Sequence, residues 1–586
     1  MYKKLIESSL KKAAKVDKVE LEIPANPAYG DFSTNIGLKK GNPKEIKKRL
    51  TKDKSLSQIV SKIEIKEGFI NFWLSKEALI NNLDKILKQK DNYGKDEIGK
   101  GKRVVIDYSS PNIAKHFSIG HLRSTIIGQA VYNLYTALGF DTVGDNHLGD
   151  WGTQFGMILS AIEEKRINPD SLTLNDLEEI YVAYSKKAKE NPALKEKAKD
   201  WFKRLENKDK KARQIWEIVN KISLAEYQKI YDLLDIKIDY AYGESFYEDE
   251  MVKVISLARS KKLIKKSQGA LIIDLGKDLP PAMLVKSDGT TTYLTRDLAA
   301  IDFRLKKWNP SLIIYEVGSE QKLHFRQVFK AAELLGWAKK TNFVHIAHGL
   351  VLIGGKKMST RSGTTIKLEE ILEKAIEKAA ELLNSAKVVK NLNPKEKEAI
   401  IKDVGIGAVK YFDLMHHPES EINFDWNSIF NLKGNSGPYL QYTYARTQSI
   451  INKSQISNFK FQTNSNNQNT KPQNRLNSKN LELDNCLDFG AWNLEFNREE
   501  LSLLRSLSQY QDILVNAAKN YSPNILCSYL FDLAQKYNTF YSKHRVLDIS
   551  NKSSVISQFR LAITAATGTV LKNGFLLLGI NAPEKM

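Results

Sequence analysis

Cysteine is nearly absent from this sequence: its 586 residues include only two, Cys486 and Cys527. Two thiols far apart in sequence provide neither a disulfide framework nor the paired spacing of a zinc site. These two absences exclude small disulfide-stapled secreted domains and cysteine-based zinc domains. We therefore expect a chain that works in a reducing compartment, the cytoplasm.

Long apolar runs are missing as well. Residues 575–580, among the most apolar of the chain, fall far short of the roughly 20 residues that a membrane-spanning helix needs. Residues 1–15 mix lysines with Glu7 and contain neither the apolar core of a secretion signal nor the arginine-rich composition of a transit peptide. We therefore expect no membrane partner and no secretion.

Acidic residues are too few to balance the basic ones. The chain has 89 Lys and Arg against 68 Asp and Glu, which gives a formal net charge of +21. Because dispersed Lys and Arg attract phosphate backbones, this charge indicates a polyanionic partner such as a nucleic acid. A generally lysine-rich proteome would produce the same excess, and composition alone does not separate the two explanations.

The length predicts three or four domains, and the residue pattern divides the chain into three main regions. Residues 1–95 predict a small N-terminal α/β domain that ends in a polar linker. Residues 100–370 alternate strands with helices, which predicts a split doubly wound parallel sheet of the Rossmann-like kind, with a charged helical insertion at about 160–240. Residues 371–586 predict an all-helical C-terminal domain, in which residues 452–480 are too polar to bury and are expected to be disordered.

Five strand-like segments are expected in the central domain, at 104–108, 141–144, 270–275, 312–317 and 343–353. The first is followed by apolar residues at helical spacing, namely Leu122, Ile126, Ala130, Leu134 and Leu138. This pattern places Gly120 and His121 at a helix N-terminus, where backbone N–H groups and the helix dipole bind phosphate. We therefore expect a nucleotide at this turn.

A second loop, at residues 354–363, has glycines at both ends and Lys and Arg side chains between them. Such a loop is able to move, and its charges suit a triphosphate or a pyrophosphate leaving group. By itself a loop of this kind is more often an exposed basic hairpin. It gains weight only in combination with the first loop.

Together the two loops resemble the signatures of class I aminoacyl-tRNA synthetases, with Ser-Ile-Gly-His at 118–121 and Lys-Met-Ser-Thr-Arg at 357–361. Four further blocks narrow the resemblance to the arginyl-tRNA synthetases: SPNIAK at 110–115, GDWGTQFG at 149–156, YLTRD at 293–297 and GNSGPYLQY at 434–442. The resemblance covers most of the chain and fails only in the polar segment within residues 452–480.

This resemblance implies an arginine–tRNA ligase. Such an enzyme activates L-arginine with ATP, forming arginyl-adenylate and pyrophosphate with Mg²⁺ on the phosphates, and then transfers arginine to the terminal adenosine of tRNA(Arg). The family also implies a monomer, arginine activation that requires bound tRNA, contact of the N-terminal domain with the outer corner of the tRNA, and anticodon binding by the helical domain.

Residue roles follow from the same resemblance, and no metal-ligating residue is among them. Catalytic roles fall on Ser118, His121, Lys357 and Arg361. Lys115 is added to them because it lies in the loop just before Ser118, from which its flexible stem can reach the α-phosphate; a solvated loop charge is the alternative. Arginine binding falls on Asn112, Glu244, Tyr293, Asp297 and Gln321. Nucleotide binding falls on Gly120, His121, His348, Gly349, Met358 and Ser359, and tRNA binding on Tyr439, Tyr442, Tyr541 and Met586.

Chemistry supports the two carboxylates in this set. A guanidinium is planar, forked and permanently charged, so a pocket that selects it over an ammonium needs carboxylates placed for paired N–H contacts. Glu244 and Asp297 supply them, whereas a surface acid or a capping residue is the alternative for either one taken alone. For the tyrosines of the helical domain the alternative is packing in its core.

Two residues depart from the family pattern. Ser118 stands where the first signature usually begins with His, and Thr360 stands where the second signature usually has Lys. Both departures lower the positive charge that faces the phosphates, and we expect Lys115 to compensate. A paralogue that binds tRNA or nucleotide without catalysis remains an alternative, and another class I synthetase is disfavoured by the pocket carboxylates.

Overall fold

The computed structural model describes residues 2–24, 26–357, 367–384, 392–465, 495–547 and 555–586. The N-terminal part is a three-stranded antiparallel sheet in the order β1-β3-β2, accompanied by helices. Its elements are α1 (Tyr2–Ala14), β1 (Phe32–Thr34), α2 (Ile36–Lys40), α3 (Pro43–Leu50), α4 (Lys54–Ser57), β2 (Val60–Lys66), β3 (Phe69–Leu74) and α5 (Lys76–Gln89). Strands β2 and β3 meet at Glu67 and Gly68, whose φ angles of 53° and 82° fit a two-residue hairpin turn. The predicted small α/β unit is confirmed.

A four-stranded parallel sheet in the order β10-β9-β4-β5 forms the centre of the chain. The elements of this region are β4 (Arg103–Asp107), α6 (Ile119–Ala137), β5 (Asp141–Asp145), α7 (Thr153–Glu164), α8 (Leu174–Glu190), α9 (Pro192–Glu206), α10 (Lys210–Leu234), α11 (Glu248–Ser260), β6 (Ile264–Ser267), β7 (Ala270–Ile273), β8 (Ala282–Val285), α12 (Tyr293–Trp308), β9 (Leu312–Gly318), α13 (Lys322–Leu334), β10 (Asn342–His348), β11 (Val351–Ile353) and β12 (Lys356–Lys357). Val105 and Ile313 pair in register and are fully buried, as expected for parallel strands covered on both faces. The predicted doubly wound sheet is confirmed.

Two of the predicted strands differ from the structure. Residues 270–275 were expected in the parallel sheet, but β7 pairs with β6 and β8 in a separate antiparallel sheet, so this prediction is wrong. The segment 343–353 divides into β10, in the parallel sheet, and β11, which pairs with β12. The break falls at Gly349, where a side chain would collide with the backbone of Ser420. Close packing of the two chain segments therefore ends the strand.

Helices α8, α9 and α10 lie between β5 and β9, so the sheet is split by helices as expected. Thr173 and Asp176 cap the start of α8 reciprocally, and Asn191 caps α9 just before its first residue, Pro192. Tyr227 of α10 donates its hydroxyl to backbone carbonyl oxygens of the loop that follows β4, at 2.6 and 2.8 Å. The insertion therefore helps to hold the predicted nucleotide loop.

Helices dominate the remainder of the chain. The elements are α14 (Leu368–Asn384), α15 (Pro394–Leu414), β13 (Ile422–Phe424), α16 (Trp426–Ile429), α17 (Gly437–Ser465), α18 (Arg498–Lys519), α19 (Asn524–Lys543) and α20 (Val555–Leu577). One short strand, β13, interrupts them and pairs in parallel with β11 of the central part. Helix α17 continues to Ser465, so the expectation of disorder is wrong for residues 452–465, and residues 466–480 lie outside the described residues. No helix in the described ranges is long and apolar enough to cross a membrane.

The N-terminal sheet docks on α18 through buried polar contacts. Asp31 is almost fully buried and forms an ion pair with Arg505 of α18 at 3.1 Å, and it also accepts a hydrogen bond from the backbone N–H of Leu74 at 2.7 Å. The hydroxyl of Tyr93 donates to the carbonyl oxygen of Leu507 at 3.2 Å. Burial raises the pKa of Asp31, while the guanidinium of Arg505 opposes this shift. The ion pair is therefore needed to keep a charged carboxylate at this interface.

We predict that Arg505→Met destabilises the protein by about 3 kcal/mol, because it leaves a buried carboxylate without its cation. Urea unfolding measures the loss, and trypsin cleavage within residues 94–102 reports release of the N-terminal part. The control is Lys4→Met, which breaks an exposed pair with Asp96 and is expected to cost less than about 1 kcal/mol. Equal effects of the two variants would contradict this role for Arg505.

Candidate active site

A cavity of about 310 Å³ lies at the carboxyl ends of β4, β9 and β10. Among the residues that line it are seven of the sequence-predicted site residues: Asn112, Ser118, Gly120, His121, Gln321, His348 and Gly349. The carboxyl edge of a parallel sheet is the position at which doubly wound folds bind nucleotides. The structure therefore assembles these seven residues around one space.

The start of α6 forms one wall of this cavity. Ser118 is the N-cap of α6, and its backbone N–H donates to Nδ1 of His121 at 3.0 Å. Because Nδ1 accepts this bond, the ring proton of neutral His121 is on Nε2. Burial, together with the positive charges of Lys115 and His348, lowers the pKa of His121 to about 4. His121 therefore presents a neutral N–H donor beside the backbone N–H groups of the helix.

On the opposite wall His348 is paired with a buried carboxylate. Its Nδ1 lies 3.0 Å from Oε1 of Glu316, a fully buried residue whose Oε2 has no hydrogen-bond partner among the residues that the structure describes. Burial lowers the pKa of His348, but the charge of Glu316 and the hydrogen bond to it outweigh burial and raise the pKa overall. Sequence reasoning missed Glu316, although a lone carboxylate inside the apolar run of β9 was a signal.

Arg123 fastens this wall to the helical part of the chain. The side chain is completely buried, pairs with Asp413 of α15 at 3.2 Å, and donates to the carbonyl oxygens of Gly349 at 2.9 Å and Ser420 at 2.6 Å. One guanidinium thus connects α6, the end of β10 and α15. Sequence reasoning missed it because nothing in the local pattern distinguishes a buried arginine from an exposed one.

A second cluster holds the predicted guanidinium partners. Glu244 lies 3.4 Å from Arg296, and Asp297 lies 2.5 Å from Nε2 of His324. Burial raises the pKa of Glu244 to about 7, with Arg296 opposing the shift. Burial lowers the pKa of His324, but its hydrogen bond to Asp297 and the charge of that residue raise it overall. Each predicted carboxylate is therefore paired with a basic side chain of the protein itself.

The two clusters are joined by residues 149–152. Asn112 and Gly149 form a parallel backbone bridge, and a side chain at Gly149 would collide with the Asn112 amide. Asp150 accepts hydrogen bonds from the backbone and hydroxyl of Ser245, next to Glu244, at 2.9 and 2.5 Å. Gly152 has a φ of 118° and lies near the hydroxyl of Tyr293, whose side chain is exposed. The carboxylate cluster thus adjoins the cavity across this segment.

Lys115 does not line the cavity. Its Nζ lies 5.0 Å from the centre of the Tyr181 ring, although its charge is close enough to affect His121. Of the predicted residues in the second loop, Lys357 alone is among the described ones, and only its backbone, in β12. The predicted residues Met358, Ser359 and Arg361 lie outside the described residues.

The four predicted tRNA-binding residues occupy different environments. Tyr442 and Tyr541 are exposed, and the guanidinium of Arg446 lies 4.9 and 5.1 Å from the centres of their rings. Tyr439 is partly buried, and its hydroxyl accepts from Asn538 at 3.0 Å. Met586 is 8% exposed and packs in an apolar cluster with Val404 and Ala445. Its side chain therefore contributes to the packing of the helical part, and a role in tRNA binding stays a prediction.

Within the described ranges, no group of three or more His, Cys, Asp or Glu side chains is placed to hold a metal ion. The acidic residues that line the cavity are Glu316 and Glu320. A divalent cation that enters with a polyphosphate needs no such cage, because Mg²⁺ is commonly held by substrate phosphates and water.

Comparison with known proteins gives a consistent assignment along the chain. Three family models match: tRNA synthetases class I (R), catalytic domain, at residues 82–426; DALR anticodon binding domain at 440–586; and Arginyl tRNA synthetase N terminal domain at 1–74. The arginine–tRNA ligase of Halothermothrix orenii is 38% identical over 97% of this chain and 96% of its own length. That of Clostridium kluyveri is 37% identical over 100% of both chains.

Solved structures agree with these matches. The arginyl-tRNA synthetase from Plasmodium falciparum has a TM-score of 0.78 at 26% identity, covering 100% of this chain and 99% of its own. That of Thermus thermophilus has a TM-score of 0.79 at 21% identity and covers 100% of both chains, a likeness that bears on the fold alone.

We predict that Arg123→Met lowers stability by about 3–5 kcal/mol at pH 8, because Asp413 is left buried without a cation. Burial already raises the pKa of Asp413, and loss of Arg123 raises it further. A carboxyl whose pKa is higher in the folded than in the unfolded state lowers the free energy of unfolding as the pH rises. The stability lost in Arg123→Met should therefore be smaller at pH 5 than at pH 8.

Thermal unfolding of wild type and variant at the two pH values measures this difference. Adding Asp413→Leu to Arg123→Met removes the unpaired carboxylate and is expected to recover part of the loss. A deficit that is independent of pH and is not reduced in the double variant would contradict the assignment.

Proposed function

The chain belongs to the arginyl-tRNA synthetases, a family of class I aminoacyl-tRNA synthetases, and on this premise we propose which of its residues bind ATP, arginine and tRNA. It is an arginine–tRNA ligase that activates L-arginine with ATP and transfers it to tRNA(Arg). The alternative of an inactive paralogue finds no support. Relatives that are 34–38% identical along nearly the whole chain are named arginine–tRNA ligases.

The reaction has two steps. The arginine carboxylate attacks the α-phosphorus of ATP and pyrophosphate leaves; a ribose hydroxyl of the tRNA terminal adenosine then attacks the adenylate carbonyl and AMP leaves. Such chemistry depends mainly on positioning the reactants and stabilising the charge that develops. We propose that Mg²⁺ enters bound to the phosphates of ATP.

ATP is proposed to occupy the cavity at the carboxyl edge of the sheet. Support comes from the exposed N-terminus of α6 at Gly120, the neutral N–H of His121, and the position of His348 and Gly349 on the facing wall. Ser118 caps the helix and offers its hydroxyl to the same space. The second loop, with Lys357, Met358, Ser359 and Arg361, is proposed to close over the outer phosphates.

Lys115 keeps its proposed catalytic role on weaker support. Its side chain packs against Tyr181 outside the cavity lining, but its charge acts on His121. A flexible four-carbon stem allows the ammonium to turn toward a bound α-phosphate. Loss of arginine-dependent ATP–pyrophosphate exchange in Lys115→Ala, with ATP binding retained, tests this role.

Arginine is proposed to lie with its guanidinium at Glu244 and Asp297 and its α-amino and carboxylate end toward Asn112 and Gln321. The observation that carries this placement is the position of the two carboxylates in one cluster, each within reach of a basic side chain of the protein. Arg296 and His324 lie beside these carboxylates, and a substrate guanidinium would compete with them for the same oxygen atoms. Tyr293 lies at the exposed side.

The outer parts of the chain are proposed to hold the tRNA. Exposed Tyr442 and Tyr541, with Arg446 against both rings, suit stacking on bases of a single-stranded loop. Tyr439, partly buried beside them, is proposed at the edge of the same surface. We propose the boundaries 1–95, 100–370 and 371–586 for the N-terminal, catalytic and anticodon-binding domains.

A monomer in the cytoplasm is the proposed state of the protein. The buried free thiol of Cys527 suits a reducing compartment, and the monomer rests on the family resemblance. Light scattering tests it, with the expected mass being that of one chain, 66.6 kDa.

The function is tested by attachment of labelled arginine to total tRNA by the purified chain, with labelled lysine as the control. We expect stable charging with arginine and none above background with lysine. Absence of arginine charging by folded protein would contradict the function.

We predict that Asp297→Asn lowers kcat/KM for arginine by at least about 30-fold, or ~2 kcal/mol, because the guanidinium loses a charged partner in a desolvated pocket. Steady-state charging at saturating ATP and tRNA measures it. The matched control is Asp302→Asn on the same helix, whose carboxylate pairs with Lys306 at 2.5 Å and is expected to change kcat/KM little. Similar values for the two variants would remove Asp297 from the pocket.

A pH dependence follows from Glu244. Because its pKa is about 7, the ionised fraction rises from pH 6 to pH 8, and kcat/KM for arginine is expected to rise about tenfold over that range. In Glu244→Gln the value should be low and nearly flat with pH. If the rise persists in this variant, another group is responsible.

A further inference from the structure

The ATP cavity has little positive charge of its own. Within the described part of the chain, its lining contains no lysine or arginine side chain, and it contains two carboxylates, Glu316 and Glu320. His121 is neutral near pH 7 because its pKa is about 4. Ser118 supplies no charge. ATP is polyanionic. His348 is the one remaining titratable base of this lining, so its protonation state decides whether the wall presents a positive charge to ATP.

Glu316 is placed to set the protonation state of that base. Its Oε1 accepts from Nδ1 of His348 at 3.0 Å, which leaves Nε2 as the remaining N–H of an imidazolium that lines the cavity. Glu316 itself is fixed from the other side, since its carbonyl oxygen accepts the Ser124 hydroxyl of α6 at 2.9 Å. A fully buried carboxylate is costly unless a cation pairs with it.

Among the surrounding charges, those of Glu316 and Asp413 favour the cationic state of His348 and that of Arg123 opposes it. Arg123 and His121 face His348 from α6, Asp413 from α15, Glu316 from β9, and His345 from β10 itself. Arg123 is paired with Asp413, so these two charges compensate each other. A neutral His348 would leave Glu316 as the single uncompensated charge of this group.

We propose that Glu316 is a positioning residue of the ATP site, which holds His348 as a cation whose Nε2–H donates to the bound nucleotide. The proposal rests on the proposed placement of ATP in this cavity. To that site it adds one residue, Glu316, and one positive charge, on His348. A hydrogen bond from a charged donor is roughly twice as strong as one from a neutral donor, so loss of the charge weakens ATP use while the geometry persists.

The test is Glu316→Gln, in which the amide oxygen still accepts from Nδ1 but no longer favours the cation. kcat/KM for ATP is measured by arginine-dependent ATP–pyrophosphate exchange with tRNA present, from pH 6 to pH 8.5. We expect a drop of about five- to tenfold at pH 8 and recovery to within about twofold at pH 6, where the imidazole is protonated without help.

Glu320→Gln is the matched control, because it removes the other carboxylate of the same lining, which has no bond to His348. Removing a negative charge that faces ATP is expected to lower KM for ATP at every pH. A gain of this kind in Glu316→Gln would show that Glu316 acts only as a negative charge, and it would overturn the proposal. No change, or a loss of equal size at pH 6 and pH 8, would also overturn it.

A second measurement does not depend on activity. NMR of protein with labelled histidine, with His348 assigned by His348→Gln, is expected to show its pKa lower by about one unit or more in Glu316→Gln. An unshifted pKa would overturn the proposal. Should Glu316→Gln not fold, the wild-type profile serves instead: kcat/KM for ATP is expected to fall at high pH as His348 loses its proton, and His348→Gln must remove that fall. Wild-type exchange with arginine and none with lysine, in the same assay, establishes the proposed function whatever the variants do.

Discussion

The buried pair of Arg123 and Asp413 is the interaction on which the active-site geometry depends. A charged group without access to water must have its hydrogen bonds satisfied, so the guanidinium fixes Asp413, the carbonyl oxygen of Gly349 and that of Ser420 relative to one another. These groups belong to α6, α15, the segment after β10 and the segment between α15 and β13. The helix whose N-terminus lines the proposed ATP cavity is therefore positioned by the helical part of the chain as well as by the sheet. A displacement of α15 would move the wall of this cavity.

Local pattern was sufficient for the frame of the site. The start of α6 was predicted correctly from the apolar strand β4, the helical spacing after Leu122 and the Gly-His turn. These features depend on residues that are neighbours in the sequence. The doubly wound sheet and its helical insertion followed from the same kind of signal. The segment at 270–275 was misassigned because an apolar strand has the same composition in a parallel sheet and in a small antiparallel one. The polar composition of residues 452–465 likewise hid a continuous helix, α17, whose first half is held by tertiary packing.

Pairings between distant residues could not be predicted from the sequence. Glu316 with His348, Glu244 with Arg296 and Asp297 with His324 are each formed by chain segments that only the fold brings together. The same holds for Met586, whose position at the end of the chain gives no hint that an apolar cluster buries it. Each carboxylate proposed to bind arginine is paired with a basic side chain of the protein, so we expect substrate binding to exchange one cationic partner for another.

The most direct test of the proposed placement of ATP and arginine is a crystal structure of the protein with a non-hydrolysable analogue of arginyl-adenylate. The account predicts the adenosine in the cavity beside His121 and His348, and the guanidinium within hydrogen-bond distance of Glu244 and Asp297. It further predicts that Arg296 or His324 has shifted from its present partner. A guanidinium bound away from both carboxylates, or an adenosine outside the cavity at the carboxyl edge of β4, β9 and β10, would contradict it.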